Sequence, residues 1–273
     1  MSNDAAGSRR GEAWLAALTS NAPRVPGFPR SVQVADTQIG GAPARFIAVV
    51  PDADSAFPRA RRGEVGLLEG WSLARAVQEV VTADRDAAVK RPIIAVVDTP
   101  SQAYGRREEA FGIHQSLASA ADAYATARLN GHPVVALLVG KAMSGAFLAH
   151  GYQANRLLAL ADGGVQVHAM GKEAAARITM RSVEALEAFA ATVPPMAYDI
   201  DNYASLGLLW KTIPVAQAEA PTAEDLAAVR GTLDAALADI AADPRRDLRS
   251  RLGGENRQAS SRVRECLAAQ WRD

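Results

Sequence analysis

Residues 91–168 contain one structural unit twice, and this repetition is the strongest constraint on the fold. An apolar run at 93–97 leads into the polar turn 98–105 (DTPSQAYG), and an alanine-rich helical segment follows. A second apolar run leads into the turn 140–146 (GKAMSGA) and another helix of small residues. Each turn would place unpaired backbone N–H groups and the positive end of a helix dipole beside the end of a strand. Two such turns side by side would stabilise negative charge on a carbonyl oxygen, so the pattern predicts enolate chemistry on an acyl thioester.

Charge and cysteine content exclude several classes of protein. The 273-residue chain has 30 Lys and Arg against 30 Asp and Glu, so no net charge attracts it to nucleic acid or to a membrane surface. The single cysteine, Cys266, excludes an internal disulfide framework and a cysteine-based metal cluster. The N-terminus is polar, and no run reaches the roughly 18 apolar residues of a membrane span. We therefore expect a cytoplasmic protein that binds neither nucleic acid nor membrane.

Strands alternate with helices through the middle of the chain. Besides the two repeated strands, the pattern predicts a hairpin over 31–50, helices over 73–89, 106–129 and 144–152, and strands over 156–161 and 164–168. Near-continuous apolar strands between helices predict an α/β fold with a mostly parallel sheet covered on both faces. Further on, Thr222 followed by Asp225 predicts a capped helix.

The two ends of the chain differ from this central part. Residues 1–30 form a predicted N-terminal arm, in which Trp14 and Leu18 share one helical face and should pack on the body. Residues 31–243 form the predicted main domain, and 244–273 a basic helical segment with eight arginines against four acidic residues. This basic end favours either docking of an acidic partner or an ordinary role as a solvated helix face or subunit contact.

The turn 140–146 is the stronger of two candidate sites. The small residues of the segment 142–146, which are all but Met143, let a thin substrate or another backbone approach the helix start closely. In the functional interpretation, the N–H groups of Gly145 and Ala146 donate to an oxyanion, and Ser144 contacts substrate in the same turn. The alternative is a tight packing corner between strand and helix, which needs small residues for the same steric reason.

The first turn is unusually polar for the end of a buried strand. Ligands in open α/β sheets bind at the carboxyl ends of strands, which favours one site formed by both turns. The candidate substrate-binding residues of this turn are Ser101, Gln102, Ala103, Tyr104 and Gly105. The alternatives are that Tyr104 anchors the loop and that Gln102 is an ordinary surface residue.

The histidines favour neither a metal site nor a nucleotide enzyme. They are scattered at His114, His132, His150 and His168, and no HExxH pair exists, so no metal site is predicted. Glycine-rich phosphate loops of the GxGxxG and GxxxxGK[ST] types are absent, so a nucleotide is not predicted. His168 ends a strand and is the better candidate for contact with a ligand or subunit, while a structural role stays open for it and for His150.

Several motifs resemble the carboxyltransferase branch of the crotonase-like superfamily. That branch carries VDTPGAYPG-like and GEGGSGGALA-like turns, and the corresponding segments here are VDTPSQAYG (97–105) and GKAMSGAFLA (140–149). Longer segments are similar to gamma subunits of biotin-independent malonate decarboxylases: RRGEVGLLEGW (61–71), SGAFLAHGYQANR (144–156) and VHAMGKEAAARIT (167–179). The resemblance implies an α/β crotonase-like fold, a spiral of ββα units with a mostly parallel sheet and flanking helices.

The resemblance also implies a reaction shared between subunits. Gamma subunits of this kind work with a homologous beta subunit and an acyl carrier protein, and the complex converts malonyl-thioester into acetyl-thioester and CO₂. The beta-like half binds the thioester arm, and the gamma-like half supplies the facing wall. The substrate arrives on the prosthetic arm of the carrier protein, and no cofactor, biotin included, is expected on this chain. Ser101 and Gly145-Ala146 replace the Gly and Gly-Gly of the biotin enzymes, which fits a site without biotin.

Two other functions stay open. The chain could be a non-catalytic assembly subunit whose turns complete the partner's fold, or a serine hydrolase that uses Ser144. The hydrolase needs a base beside Ser144, and His150 lies six residues further on, nearly two helical turns away.

Overall fold

The computed structural model describes residues 7–271. The strands in this range are β1 (Val32–Ile39), β2 (Ala42–Val49), β3 (Ile93–Thr99), β4 (Val134–Met143), β5 (Arg156–Leu160), β6 (Gln166–His168) and β7 (Lys211–Ile213). The α-helices are α1 (Arg10–Leu18), α2 (Leu67–Ala83), α3 (Arg106–Ala110), α4 (Ile113–Leu129), α5 (Ser144–Ala149), α6 (Lys172–Ile178), α7 (Val183–Ala190), α8 (Ile200–Ser205), α9 (Ala223–Ala242) and α10 (Gln258–Gln270).

One mixed sheet organises the molecule. Its strand order is β1-β2-β3-β4-β5-β7, and the short β6 pairs with the end of β4. The β1–β2 pair is antiparallel and the other pairs are parallel. Every residue of β3 is buried, because helices cover both faces of a parallel sheet. The predicted α/β architecture with a mostly parallel sheet is therefore confirmed.

The hairpin at the sheet edge follows the sequence pattern closely. Residues Ile39 and Ala42 pair directly, so Gly40 and Gly41 form a two-residue turn. Both glycines have positive φ, 56° and 78°, as the tight turn of a twisted hairpin requires.

The three helices predicted between residues 73 and 152 have different bounds in the structure. The helix expected over 144–152 is α5, which ends at Ala149. The single helix expected over 106–129 is wrong, because Gly112 adopts a left-handed φ of 80° and separates α3 from α4. The helix expected over 73–89 begins six residues earlier, at Leu67. There a Glu69 carboxylate oxygen accepts the Gly66 N–H at 3.0 Å and caps the helix start.

The two ends of the described chain differ in how they pack. In α1, Trp14 is completely buried and its indole N–H donates to the Ala218 carbonyl at 2.7 Å. This helix packs into the main core, as the shared face of Trp14 and Leu18 predicted. In contrast, α10 has no buried residue. The division at residues 30 and 243 stays a prediction, and Arg272 of the basic segment lies outside the described residues.

The capped helix predicted near residue 222 is α9. The Thr222 hydroxyl accepts the Asp225 N–H at 3.1 Å, and the Asp225 carboxylate accepts the Thr222 N–H at 3.0 Å. This reciprocal pair satisfies two N–H groups at the helix start and confirms the predicted cap.

Candidate functional site

The sheet brings the two predicted turns together. Strands β3 and β4 are parallel neighbours, so the turns that follow them lie at the same edge of the sheet. Their register shifts between Val97 and Thr99, and Thr99 pairs with Ala142 near the end of β4. The first turn therefore lies directly beside the start of α5.

A buried carboxylate links this edge to the N-terminal helix. One oxygen of Asp98 accepts the Lys141 N–H at 3.2 Å, and the other accepts the Gly11 N–H at 3.2 Å. A Cβ atom at Gly140 would lie 2.1 Å from the Asp98 carboxylate, so only glycine fits there. Asp98 thus fixes the end of β3, the second turn and α1 relative to one another.

A hydrogen bond joins the two turns directly. The Gly145 N–H donates to the side-chain oxygen Oε1 of Gln102, with 2.9 Å between the nitrogen and the oxygen. The backbone around Gln102 is itself held by Val65, whose N–H donates to the Ser101 carbonyl at 3.0 Å and whose carbonyl accepts the Ala103 N–H at 2.8 Å. We call the Gln102–Gly145 hydrogen bond the turn clasp. The predicted oxyanion donor of Gly145 therefore faces a side chain of the other turn.

The other residues of the first turn have different surroundings. The Ser101 hydroxyl donates to the Gln102 carbonyl at 3.1 Å, and Ala103 is completely buried. Tyr104 is exposed, and the Arg59 guanidinium lies 4.8 Å from the centre of its ring. Gly105 precedes α3 beside the Glu108 carboxylate, which a Cβ atom at Gly105 would approach to 2.6 Å. Ser101, Gln102 and Gly105 are thus the partly accessible members of this turn.

Ser144 and Gly145 form one wall of a cavity of about 320 Å³. Ser144 has a left-handed φ of 57°, which is uncommon for a residue with a side chain and is concentrated at functional sites. Ala146 is completely buried in the core, so its side chain does not reach the cavity. The remaining lining residues are mostly apolar: Phe147, Leu148, Tyr152, Val167, His168, Ala169, Pro195, Ala197, Tyr203 and Leu206.

Strand β6 brings His168 to this cavity. His168 pairs with Met143, the residue before Ser144, although the two are distant in sequence. Its ring stacks on Tyr198 with 4.0 Å between the ring centres, and its Nδ1 lies within 3.2 Å of the Met170 backbone nitrogen. Burial lowers the pKa of His168. A neutral imidazole at the cavity wall can contact a ligand without adding charge.

The histidine nearest in sequence to Ser144 is structural. His150 is completely buried between the Tyr124 hydroxyl, 3.0 Å from Nδ1, and the Val96 carbonyl, 3.1 Å from Nε2. Both ring nitrogens are therefore engaged in the core. Within residues 7–271, no hydrogen bond joins the Ser144 hydroxyl to a histidine. The geometry does not favour a serine hydrolase.

Two classes of feature are missing from the described part of the chain. Over residues 7–271, His, Cys, Asp and Glu side chains form no cluster of three or more suited to a metal ion. In the same range, no helix combines the length and apolar character needed to cross a bilayer.

Several residues around this site were not predicted from the sequence. The sequence contains a signal for Asp98, because a carboxylate directly after a buried apolar run needs a hydrogen-bond partner. It contains no such signal for Tyr198 and Tyr203, because they lie in a segment of short helices whose position depends on long-range packing.

Comparisons with known proteins identify the relatives of this chain. The profile of the family described as "Malonate decarboxylase gamma subunit" matches residues 60–271. The malonyl-S-ACP:biotin-protein carboxyltransferase MADD of Malonomonas rubra is 39% identical over 178 residues. That alignment covers 64% of this chain and 61% of the relative, so the chain spans less than two thirds of that relative's length.

Solved structures extend the match over nearly the whole chain. A chain of a Pseudomonas malonate decarboxylase hetero-tetramer in complex with coenzyme A is 68% identical, with a TM-score of 0.92 over 96% of this chain and 99% of that one. A chain of the Pseudomonas MdcD-MdcE hetero-dimer is 65% identical, with a TM-score of 0.89 and the same coverage.

A more distant structure shows the fold alone. Transcarboxylase 12S is 18% identical, with a TM-score of 0.64 over 86% of this chain and 41% of that chain. The fold is the crotonase-like α/β fold of carboxyltransferases, as the motifs predicted. With a family profile that covers more than half of its residues, the chain belongs to the malonate decarboxylase gamma subunit family.

Proposed function

We propose that this chain is one half of the active site of a malonyl-thioester decarboxylase, a carboxy-lyase that works as a hetero-oligomer in malonate catabolism. The substrate is malonyl on the thioester-linked arm of an acyl carrier protein, and the products are acetyl-thioester and CO₂. The observation that carries the proposal is the turn clasp beside the cavity, in a chain of the gamma subunit family.

The reaction needs a site that stabilises an enolate. The bond between the malonyl carboxylate carbon and the methylene carbon breaks, CO₂ leaves, and the electron pair moves onto the thioester oxygen. A proton then adds to the methylene carbon and completes the acetyl group. Fixed hydrogen-bond donors near the thioester oxygen lower the barrier, because they act where negative charge appears. In this chain, the edge where the turn of Gly145 and Ala146 meets Gln102 supplies such donors.

Two other candidate residues, Ser144 and His168, contribute to the cavity wall, and Gln102 of the first turn contacts the start of α5 through Gly145. The apolar cavity suits the loss of a carboxylate as CO₂, since an uncharged product is favoured over a charged group in an apolar environment. No biotin is needed, because the carboxyl group is released and not transferred.

The partners follow from the relatives. A homologous beta subunit would hold the thioester arm, and this chain would provide the facing wall of the site. The Pseudomonas hetero-dimer and hetero-tetramer support an assembly with other subunits, and the name of the Malonomonas relative supports a carrier-bound malonyl substrate. A cytoplasmic location is part of the proposal and is tested by cell fractionation.

The test compares two substitutions at Gly145 in the purified complex. A Cβ atom there would meet Gln102 and Leu117 at 3.4–3.5 Å, which is ordinary contact, so Gly145→Ala should keep most activity. Gly145→Val adds branched methyl groups that press on Gln102, and we expect a loss of about 100-fold or more in malonyl-thioester decarboxylation. An active Gly145→Val complex would exclude this turn from the mechanism.

Two further measurements separate the alternatives. The chain purified alone should not decarboxylate malonyl-thioester at the rate of the complex, and equal rates would contradict the shared site. If Gly145→Val prevents assembly as well as activity, the chain is an assembly subunit whose turns complete the partner's fold.

A further inference from the structure

The turn clasp fixes the orientation of the Gln102 side-chain amide. A backbone N–H can only donate, so the atom 2.9 Å from the Gly145 nitrogen must be the amide oxygen. The amide nitrogen Nε2, with its two hydrogens, is therefore turned away from Gly145. Among residues 7–271, Nε2 has no hydrogen-bond acceptor, and the side chain is partly exposed. A fixed pair of N–H donors thus remains at the edge where the two turns meet.

Gln102 is held at its backbone and at its side-chain oxygen. The backbone on either side of Gln102 is bonded to Val65, and the Gln102 carbonyl accepts the Ser101 hydroxyl. The side-chain oxygen is bonded to Gly145, which lies at the cavity wall. A donor that needs no reorientation when charge develops contributes more to catalysis than a mobile one.

We propose that Gln102 is a catalytic hydrogen-bond donor, whose Nε2–H group binds the thioester oxygen as the enolate forms. The inference rests on the proposed function and makes it more specific, because Gly145 then acts through Gln102 and orients its amide. A neutral donor suits this step. A guanidinium or ammonium group would bind the malonyl carboxylate strongly and oppose its loss, whereas an amide gains most as charge appears on the thioester oxygen.

Two substitutions in the full complex test the assignment. Gln102→Glu keeps the size and the acceptor for Gly145 but presents a negative oxygen to the substrate, so kcat at pH 7.5 should fall by about 100-fold or more. Gln102→Ala removes the donor and should lower kcat by about 10-fold or more. The matched control is Gln78→Glu, an exposed glutamine of α2, which should keep the wild-type kcat and KM.

The pH profile distinguishes a donor from a structural residue. A protonated glutamic acid has one O–H donor, so the deficit of Gln102→Glu relative to wild type should shrink as the pH falls from 7.5 toward 5. A structural defect would give a deficit that is independent of pH. Such a constant deficit would overturn the proposal, as would a Gln102→Ala complex as fast as wild type, since Gln102 would then only cap the Gly145 donor.

The other possible results of these experiments also support or overturn the proposal. Complex assembly is checked by size-exclusion chromatography, and Gln102→Met replaces Gln102→Ala if the latter does not assemble. Failure of all variants to assemble would assign Gln102 to assembly and overturn the catalytic role. A wild-type complex that does not decarboxylate malonyl-thioester would overturn the proposed function itself. An active wild type with an unaffected Gln102→Ala variant would overturn only the role of Gln102.

Discussion

His150 illustrates how burial fixes the charge of a single side chain. Burial lowers its pKa to about 4, so the imidazole is neutral in the folded protein at neutral pH. With a hydrogen on Nε2, it donates to the Val96 carbonyl and accepts from the Tyr124 hydroxyl. In the unfolded chain the same group has a pKa of about 6.5. The folded state therefore binds fewer protons than the unfolded state in the range between these two values.

This difference predicts a loss of stability in mild acid. The contribution of His150 is complete above about pH 6.5 and declines as the pH falls toward 4, by about 2 kcal/mol between pH 7 and pH 5. Urea unfolding of the full chain at pH 7 and at pH 5 measures this loss of stability. His150→Gln should flatten this pH dependence, and the exposed His114→Gln should preserve it. An unchanged slope in His150→Gln would contradict the assignment.

At the residue scale, the sequence indicates the two candidate turns but not the contacts between them. The small residues around Gly145 and the polar first turn mark the two halves of the candidate site. The turn clasp was not predictable, because it depends on the register of β3 and β4 after the shift beyond Val97. The position of His168 beside the second turn depends on the pairing of the three-residue β6, which local sequence does not specify.

At the scale of helices and strands, the packing of α2 on α4 explains a glycine inside a helix. A Cβ atom at Gly70 would lie 2.2 Å from the Ser116 hydroxyl oxygen and 2.8 Å from the Ser116 carbonyl oxygen. That hydroxyl donates to the Leu67 carbonyl at 2.8 Å, across the interface between the two helices. Gly70 therefore permits a close helix contact, which compensates for the low helix propensity of glycine.

A pair of glycine substitutions tests this explanation. We expect Gly70→Ala to lower the free energy of unfolding by about 1–3 kcal/mol, because the added methyl group has no space. Gly231→Ala in the middle of α9 has open space around it and should raise the free energy by about 0.5–1 kcal/mol. Urea unfolding measures both. If both substitutions changed the free energy of unfolding equally, helix propensity alone would explain the effect of each.

The strand pattern was predictable because buried parallel strands are continuous apolar runs. The two repeated strands and the α/β class followed from this pattern, whereas the antiparallel hairpin followed from two strand-like runs on either side of a turn. The break between α3 and α4 was missed, because glycine inside a helical pattern does not by itself reveal a left-handed conformation. The early start of α2 was missed because its cap uses the N–H of Gly66, which has no capping side chain of its own.

At the scale of the whole molecule, the total charge is neutral although the C-terminal segment is basic. In the structure, the arginines of this segment have different roles. Arg251 is buried and donates to the Tyr152 carbonyl at 2.7 Å, and Arg257 donates to the Arg251 carbonyl at 2.9 Å. Arg251 therefore holds the C-terminal segment to the body, whereas the Arg257 bond lies within that segment. Arg262 and Arg264 lie on α10, where every described residue is accessible. They are the candidates for attracting an acidic carrier protein.

Charge reversal on α10 tests the attraction. We expect Arg262→Glu combined with Arg264→Glu to raise the KM for carrier-bound malonyl several-fold and to leave malonyl-CoA turnover nearly unchanged. The effect should weaken above about 0.1 M ionic strength, where the Debye length is about 10 Å. As a control, the single substitution Arg262→Glu is compared with Arg85→Glu, which reverses the charge of an exposed arginine after α2. Equal effects on both substrates would exclude docking through α10.

The turn clasp also constrains how such a site can be inherited. Its two residues lie 43 positions apart and belong to different strand–helix repeats, yet each gives the other its orientation. The donor at position 145 is a backbone N–H, which any residue except proline supplies, whereas the acceptor is a side chain that only position 102 provides. A chimera that receives the first turn from a paralogue without glutamine at position 102 would therefore lose the clasp, and a chimera with another small residue at position 145 would keep it.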